Sequence, residues 1–315
     1  HKGSIHVESE PGKRTVFFVE LPKGKSHFDE TCTFAPSVTE LSSGVANLDT
    51  REMDEIVNRA YDYTILVVED DPDINAYLQK ELKPNFRILA VGNGAAAVDI
   101  LAKENVSLVI SDVMMPEMNG YELCKRIKSD IAFSHIPVIL LTALSDDKQR
   151  MYGIASGADE FIQKPFHIEE LKLRIVRLLE ERARLRNAFT QELRSPAASD
   201  LKIGKTESVD DVFMRKFMAL IEESYPDSDF SIEKASDMLG LSRVHLYRKV
   251  KELTGVTPTD FLRNYRLKRA AALLREKGRN VNEVAYATGF SSPPYFSKCF
   301  KAAYTVTPTE YQEKG

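Results

Sequence analysis

Side chains capable of chemistry follow four short apolar runs in the middle of the chain. Glu69, Asp70 and Asp71 come after Thr64–Val68, Asp112 after Leu108–Ser111, Thr142 after Val138–Leu141, and Lys164 with Pro165 after Glu160–Ile162. If the runs are parallel strands, these groups meet at one edge, because ligands of an open parallel sheet bind outside the carboxyl ends of its strands. Gathered carboxylates repel unless a cation or a proton intervenes, and an all-oxygen donor set suits Mg²⁺, which takes only one or two protein carboxylates. That chemistry assigns Asp70 and Asp112 as direct ligands, Glu69 as a ligand through water, and the backbone carbonyl of Met114 as a further protein oxygen. A lysine opposite a metal-bound carboxylate has a use of its own. A phosphoryl group on Asp112 would add close to two negative charges, which Mg²⁺ and Lys164 would neutralise while Thr142 donates a hydrogen bond. The implied reaction is phosphoryl transfer to a carboxylate nucleophile. Asp71 and Asp73 flank Pro72 and read instead as helix-start residues.

The elements that must position these groups are visible in the pattern. From Tyr63 onward, β-branched runs at Thr64–Val68, Phe86–Ala90, Leu108–Ser111, Val138–Leu141 and Glu160–Ile162 alternate with amphipathic stretches. Runs this apolar imply strands covered on both faces, hence a doubly wound α/β domain on a five-stranded parallel sheet, over residues 63–185. Residues 167–193 predict one long helix with Leu171, Ile175, Leu178 and Leu185 on its apolar stripe, ended near Pro196. Residues 186–209 are expected to be a helical connector. The first 22 residues alternate apolar and polar around Pro11-Gly12, a hairpin signal, and residues 23–62 have a linker composition.

Charge divides the chain. Residues 63–180 hold 18 acidic and 13 basic side chains, whereas residues 241–301 hold 13 basic and 4 acidic ones, a distribution suited to a cation site in one half and a polyanion in the other. Three scattered cysteines lack metal or redox spacing. No apolar run approaches the roughly 18–20 residues of a membrane span, so no membrane contact is expected of this segment.

The basic half is helical in pattern and repeats itself. Gly240-Leu241-Ser242 returns as Gly289-Phe290-Ser291, and Val256-Thr257-Pro258-Thr259 returns, one residue later in register, as Val306-Thr307-Pro308-Thr309. Each unit has a helix ending at Gly and a second starting at Ser, the layout of a helix-turn-helix, so Ser242 and Ser291 are expected to cap the second helices. Residues 210–315 thus predict an all-α domain of two such units, joined by a helix over about 258–275 with Thr257 as cap and Ala270, Ala271 and Leu274 buried.

These motifs carry resemblances. Val67-Val68-Glu69-Asp70-Asp71-Pro72, Asp112-Val113-Met114-Met115-Pro116-Glu117-Met118-Asn119-Gly120, Leu141-Thr142-Ala143 and Phe161-Ile162-Gln163-Lys164-Pro165-Phe166 resemble the response-regulator receiver domain, of flavodoxin-like fold. The resemblance implies that Asp112 is the phospho-acceptor, Asp70 and Glu69 the acidic pocket, Thr142 the switch hydroxyl and Lys164 the phosphate-contacting base. It also implies a cis Lys164–Pro165 peptide and makes Phe161 the switch aromatic, with a plain core role as the alternative.

Ala285-Tyr286-Ala287-Thr288-Gly289-Phe290-Ser291, Tyr295-Phe296-Ser297-Lys298-Cys299-Phe300-Lys301 and Thr307-Pro308-Thr309-Glu310-Tyr311 resemble the AraC-type DNA-binding domain. By that resemblance Val244, Arg248, Pro294 and Lys298 read bases, with Tyr247 and Ser297 beside them on the DNA face. Arg243 and Lys249 touch phosphates or are merely solvated. The first 22 residues resemble the last hairpin of a histidine-kinase ATP-binding domain, without its nucleotide-binding boxes.

The order implies the C-terminal part of a hybrid two-component protein facing the cytoplasm, with a parent anchored in the membrane. Its expected partners are promoter DNA, a phosphorylated histidine kinase and a second copy on activation. The fragment is expected to be no enzyme beyond its own phosphorylation. The rivals are a phosphoryl carrier with weak DNA affinity, and a constitutive DNA binder whose receiver is only a dimerisation scaffold.

Overall fold

The computed structural model describes residues 3–10, 14–23, 63–143, 156–194, 208–276 and 279–313. The chain forms two compact units, residues 1–54 and 55–315. In the first, β1 (Ser4–Glu10) and β2 (Arg14–Glu20) pair antiparallel, Ser4 opposite Glu20. Ile5, Val7, Phe17 and Val19 of this hairpin are all exposed. The turn at Pro11-Gly12 and the linker from residue 24 lie outside the described residues.

The second unit begins with a five-stranded sheet of β3 (Thr64–Val68), β4 (Arg87–Val91), β5 (Leu108–Asp112), β6 (Val138–Thr142) and β7 (Glu160–Gln163). All pairings are parallel, in the order β4-β3-β5-β6-β7. Alternate residues feed two cores. Ile65, Val67, Leu108, Ile110, Ile139 and Leu141 pack under α1 (Pro72–Leu82) and α4 (Ile168–Arg194). Leu66, Val68, Val109, Val138 and Leu140 pack under α2 (Gly94–Lys103) and α3 (Gly120–Ser129). The predicted doubly wound sheet is therefore present: β3 coincides with the sequence reading, β4 is shifted by one residue, and β5, β6 and β7 are each one residue longer. The chain runs from β3 to β4 on one side and later to β5 on the other, so the carboxyl ends of β3 and β5 flank the point where winding reverses.

The long helix departs from its expected stripe. Leu171, Ile175 and Leu179 are the buried positions, Leu178 is half-buried and Leu185 is exposed. The i, i+4, i+8 spacing keeps α4 on the sheet only for its first three turns. Its second half packs along the helical domain. Phe189 stacks on Phe261, Arg186 pairs with Glu252 at 2.7 Å, and the Thr190 hydroxyl donates to the Thr254 carbonyl at 2.7 Å.

That domain comprises α5 (Val209–Ser224), α6 (Ile232–Met238), α7 (Arg243–Thr254), α8 (Pro258–Leu274), α9 (Val281–Ala287), α10 (Pro293–Tyr304) and α11 (Pro308–Glu313). One core joins α5, α6, α7 and the start of α8; a second joins the end of α8, α9, α10 and α11. The linking helix thus belongs to both units, with Thr257 capping it and Ala270, Ala271 and Leu274 buried as expected. Gly240 and Gly289 take positive φ at the two turns, where a side chain would be strained.

Ser242 caps α7, but the cap of α10 is Ser292 rather than Ser291. The one-residue offset between the repeats enters here. Pro293 and Pro294 fill the first turn, so the capping hydroxyl must come directly before them.

Candidate phosphoacceptor and DNA-binding sites

Asp112 is the last residue of β5 and is largely buried, its Oδ1 accepting from the Val113 amide at 2.8 Å. The start of α3 closes over it. Gly120 donates its amide to the Val113 carbonyl, and a Cβ at Gly120 would collide with the Asp112 carbonyl oxygen. Only glycine fits there. The Asn119–Glu122 capping box fixes the helix start around it.

Across from Asp112, Lys164 reaches back from the end of β7. Its Nζ lies 2.8 Å from Glu69 Oε2 and 3.1 Å from Asp112 Oδ1. The Lys164–Pro165 peptide is cis. Burial lowers the Lys164 ammonium, but hydrogen bonds to Glu69 and Asp112 outweigh it and raise the pKa above its ordinary value. Glu69 is raised chiefly by burial, with the Asp112 charge adding and the Lys164 hydrogen bond opposing.

Oxygens of Glu69, Asp70 and Asp112 lie within 4.8 Å of one another, a donor set that fits a hard divalent cation. Asp70 is exposed, so the cluster opens to solvent. Thr142, the last residue of β6, and Phe161 in β7 are both half-buried, and Phe161 packs against the core beneath α2 and α3. Met114 carries an exposed side chain. Asp71 caps α1 by accepting from the Asp73 and Ile74 amides.

Sequence reasoning missed Asn75, whose amide donates to the carbonyls of Glu69 at 2.9 Å and Val91 at 3.2 Å and so ties the acidic loop to the sheet. Gly120 stood in the quoted motif but was given no role, although the Asn119–Glu122 capping box at the start of α3 was a readable signal.

The residues expected on DNA fall into three groups. Val244, Tyr247, Pro294 and Lys298 are exposed, Ser297 is half-buried, and Arg243 is exposed with Glu233 3.0 Å away. Arg248 is turned to the receiver half, its Nη1 donating to the Glu104 carbonyl and its Nη2 to the Lys103 carbonyl, each at 3.0 Å.

Lys249 corrects the expectation of a phosphate-contacting or solvated side chain, because it is fully buried. Its Nζ lies 2.6 Å from Asp210 and donates to the Ser134 hydroxyl at 2.8 Å. A lysine on the inner side of α7 can remain charged only where a carboxylate meets it, and Asp210 in the first turn of α5 does so. Burial alone would raise the Asp210 carboxyl; the Lys249 charge and hydrogen bonds hold it below its usual value. Burial pulls the Lys249 ammonium down, against the attraction of Asp210.

Among the described residues no helix is long and apolar enough to cross a membrane.

Comparison with known proteins agrees with both halves. Residues 65–176 match the response regulator receiver domain, and residues 235–314 match a helix-turn-helix domain. The whole chain is 37% identical over 324 aligned residues to histidine kinase P4 of Formosa agariphila, of which it spans 23%. It is similar to the crystal structure of the receiver domain of a signal transduction histidine kinase from Syntrophus aciditrophicus, with 41% identity, 38% of this chain, 91% of that chain and a TM-score of 0.37. It is also similar to the C-terminal domain of the two-component response regulator yesN from Fusobacterium nucleatum, with 33% identity, 31% of this chain, 96% of that chain and a TM-score of 0.31. The carboxylate pocket at the winding reversal and the duplicated helix-turn-helix thus lie on one polypeptide, which carries a response regulator receiver domain followed by an AraC-type helix-turn-helix domain.

Proposed function

We propose that Asp112 accepts a phosphoryl group from a phosphohistidine and that the resulting charge governs binding of promoter DNA by α7 and α10. The observation that carries this reading is Lys164 Nζ bridging Glu69 and Asp112 at the carboxyl ends of the strands. An Asp112 carboxylate oxygen forms the new O–P bond as the donor's N–P bond breaks, and the departing imidazole takes up a proton. Lys164 sits where it can pair with an oxygen of the transferred group, and Thr142 ends the adjacent strand, within the same rim. Glu69, Asp70, Asp112 and the carbonyl of Met114 would hold Mg²⁺, which would supply charge neutralisation when bound. The buried, hard-to-ionise Glu69 supports that role.

On the DNA side, Val244, Tyr247, Pro294, Ser297 and Lys298 are offered to the major groove, Arg243 to a phosphate, and Arg248 to a base once it is freed. A homodimer on activation fits a transcription factor of this kind. The hairpin at residues 4–20, with apolar side chains exposed, suits the edge of a kinase domain supplied by a longer parent, which would lie at the cytoplasmic membrane. The test is phosphorylation by acetyl phosphate with Mg²⁺, comparing wild type with Asp112→Asn. Alkali- and hydroxylamine-labile phosphate on wild type only, with stronger binding of promoter DNA, is the expected result; equal DNA affinity in both would refute the control.

A further inference from the structure

Leu267, Ala270 and Ala271 of α8 share a core with Phe296 and Phe300 of α10, but the two helices do not close on each other along their whole length. Between the first half of α8 and one face of α10 runs an open cavity of about 470 Å³. The gap has a cause in the sequence. Where Phe296 and Phe300 fill the core, the neighbouring face of α10 carries only Cys299, Ala302 and Ala303.

The lining sorts its chemistry by depth. Leu267 is buried and Tyr304 half-buried, which gives an apolar and aromatic floor, while Lys298 is exposed at the rim. The Tyr304 ring is held from behind by Phe300, with centroids 4.5 Å apart, and by Tyr311 at 5.5 Å. Burial pushes the Tyr304 phenol up to about 12, so its hydroxyl is a donor at neutral pH. Arg263 gives Nη2 to Asp260 Oδ1 at 2.5 Å. Its other donors, the Asn264 amide, the Tyr304 hydroxyl and the Lys298 ammonium have no partner among the described residues. Two cations stand against one carboxylate in the lining, so positive charge is left over.

Small-molecule sites have volumes of roughly 300–1,000 Å³, lie between packed units and combine apolar walls with a few convergent polar groups. This cavity has all three properties. A simple anion would use its cations and leave the floor bare. A duplex can reach the exposed Lys298 but leaves Leu267 and Tyr304 uncovered. An occupant that satisfies both parts has a flat apolar body, which suits an aromatic wall, and one anionic group, which suits a guanidinium beside an ammonium.

We propose that the cavity between α8 and α10 binds an aromatic carboxylate of one or two rings, its ring system on Leu267 and Tyr304 and its carboxylate on Arg263 and Lys298. Lys298 is also offered to the major groove in the function proposed above, so ligand and DNA compete for it. Only this competition rests on that function. Ligand at ten times its own Kd then weakens the apparent affinity for DNA about tenfold, and DNA weakens ligand binding reciprocally.

The site is tested by calorimetry of the whole chain with 2-naphthoate, neutral 2-naphthamide and inorganic phosphate, on wild type, Arg263→Gln and Ala303→Leu. The leucine fills the cavity without touching a charge, and Ala303 is exposed, so the fold does not depend on it. One site for 2-naphthoate is expected, at least tenfold weaker for the amide and for Arg263→Gln, and lost in Ala303→Leu. Anisotropy of a mixed-sequence 40-base-pair duplex at fixed salt reads the competition. Wild type should lose about tenfold in apparent affinity at ten times the 2-naphthoate Kd, and Ala303→Leu should lose nothing. The site is overturned if 2-naphthoate fails to bind wild type, if it binds Ala303→Leu equally, or if phosphate or the amide binds as well as the carboxylate. If 2-naphthoate binds as expected and leaves duplex affinity unchanged, the competition is overturned and the site stands. A wild-type chain that binds no duplex in any condition is a failure of the functional reading, which the calorimetry does not share.

Discussion

Replacing Lys249 by methionine removes a charge from the inner face of α7 while keeping most of the apolar stem. The Lys249 side chain is 0% exposed and that of Asp210 is 24% exposed. Truncating one partner of a fully buried pair costs about 3–5 kcal/mol, whereas an exposed pair is worth about 0–1 kcal/mol. Asp210 retains some water, so Lys249→Met is expected to cost about 2–3 kcal/mol, including loss of the ammonium held 5.2 Å over the Phe213 ring. For a unit of this size that lowers the melting temperature by roughly 4–12 °C. Thermal unfolding followed by circular dichroism measures it, and Asp210→Asn completes a double-mutant cycle whose coupling should lie at about 1–3 kcal/mol. A lysine serving as a phosphate contact would behave otherwise. Lys249→Met would leave the melting temperature within about 1 °C and reduce the salt dependence of DNA binding by about one counterion. That outcome would refute the buried-pair argument.

Three further outcomes follow from particular positions. Gly120→Ala forces a methyl group into the Asp112 carbonyl, so the variant is expected to take up phosphate from acetyl phosphate at least tenfold more slowly, as displacement of the Asp112 carboxylate implies, measured as hydroxylamine-labile phosphate against time. His135 is buried with an unpartnered Nδ1 and is pushed down to about 3, by burial first and by the Lys249 charge second. The unfolded chain binds a proton below its ordinary value of 6.5 that the folded chain refuses. Stability therefore falls with pH between 6.5 and about 3, by about 2 kcal/mol at pH 5, and His135→Gln should flatten that slope in urea titrations. Thr305 holds a left-handed φ of 66° at the position where the first repeat has Gly255, so Thr305→Gly should stabilise by about 0.5–1 kcal/mol in the same assay.

The receiver half was legible because its cause is local. Strands such as Thr64–Val68 are apolar on both faces, and acids placed directly after them can only gather at one rim. The caps Ser242 and Thr257 were equally readable. What sequence could not yield were choices made by tertiary partners. Val244 and Lys249 both sit on a basic amphipathic helix, and nothing in its periodicity says that the lysine turns inward, because its counter-charge, Asp210, lies 39 residues away in another helix. The stripe of α4 failed for a related reason. Leu185 continues the pattern of Leu178, but the surface beneath the helix changes from sheet to helical domain, so Phe189 and Thr190 take up the contacts instead.

The same distinction bears on how the two halves communicate. With 186–209 read as a connector, a signal from Asp112 would have to travel along one long helix before reaching α7. The packed loop at Ile131–Ser134 shortens that route: Asp130 ends α3, the next four residues touch the helical domain, and α3 begins against the Asp112 carbonyl. Displacing α3 at its N-terminus must then either move Ala132 within the core it helps to fill or strain the loop that holds it. Packed cores resist continuous deformation, so such a displacement favours two discrete arrangements of the loop over a graded shift.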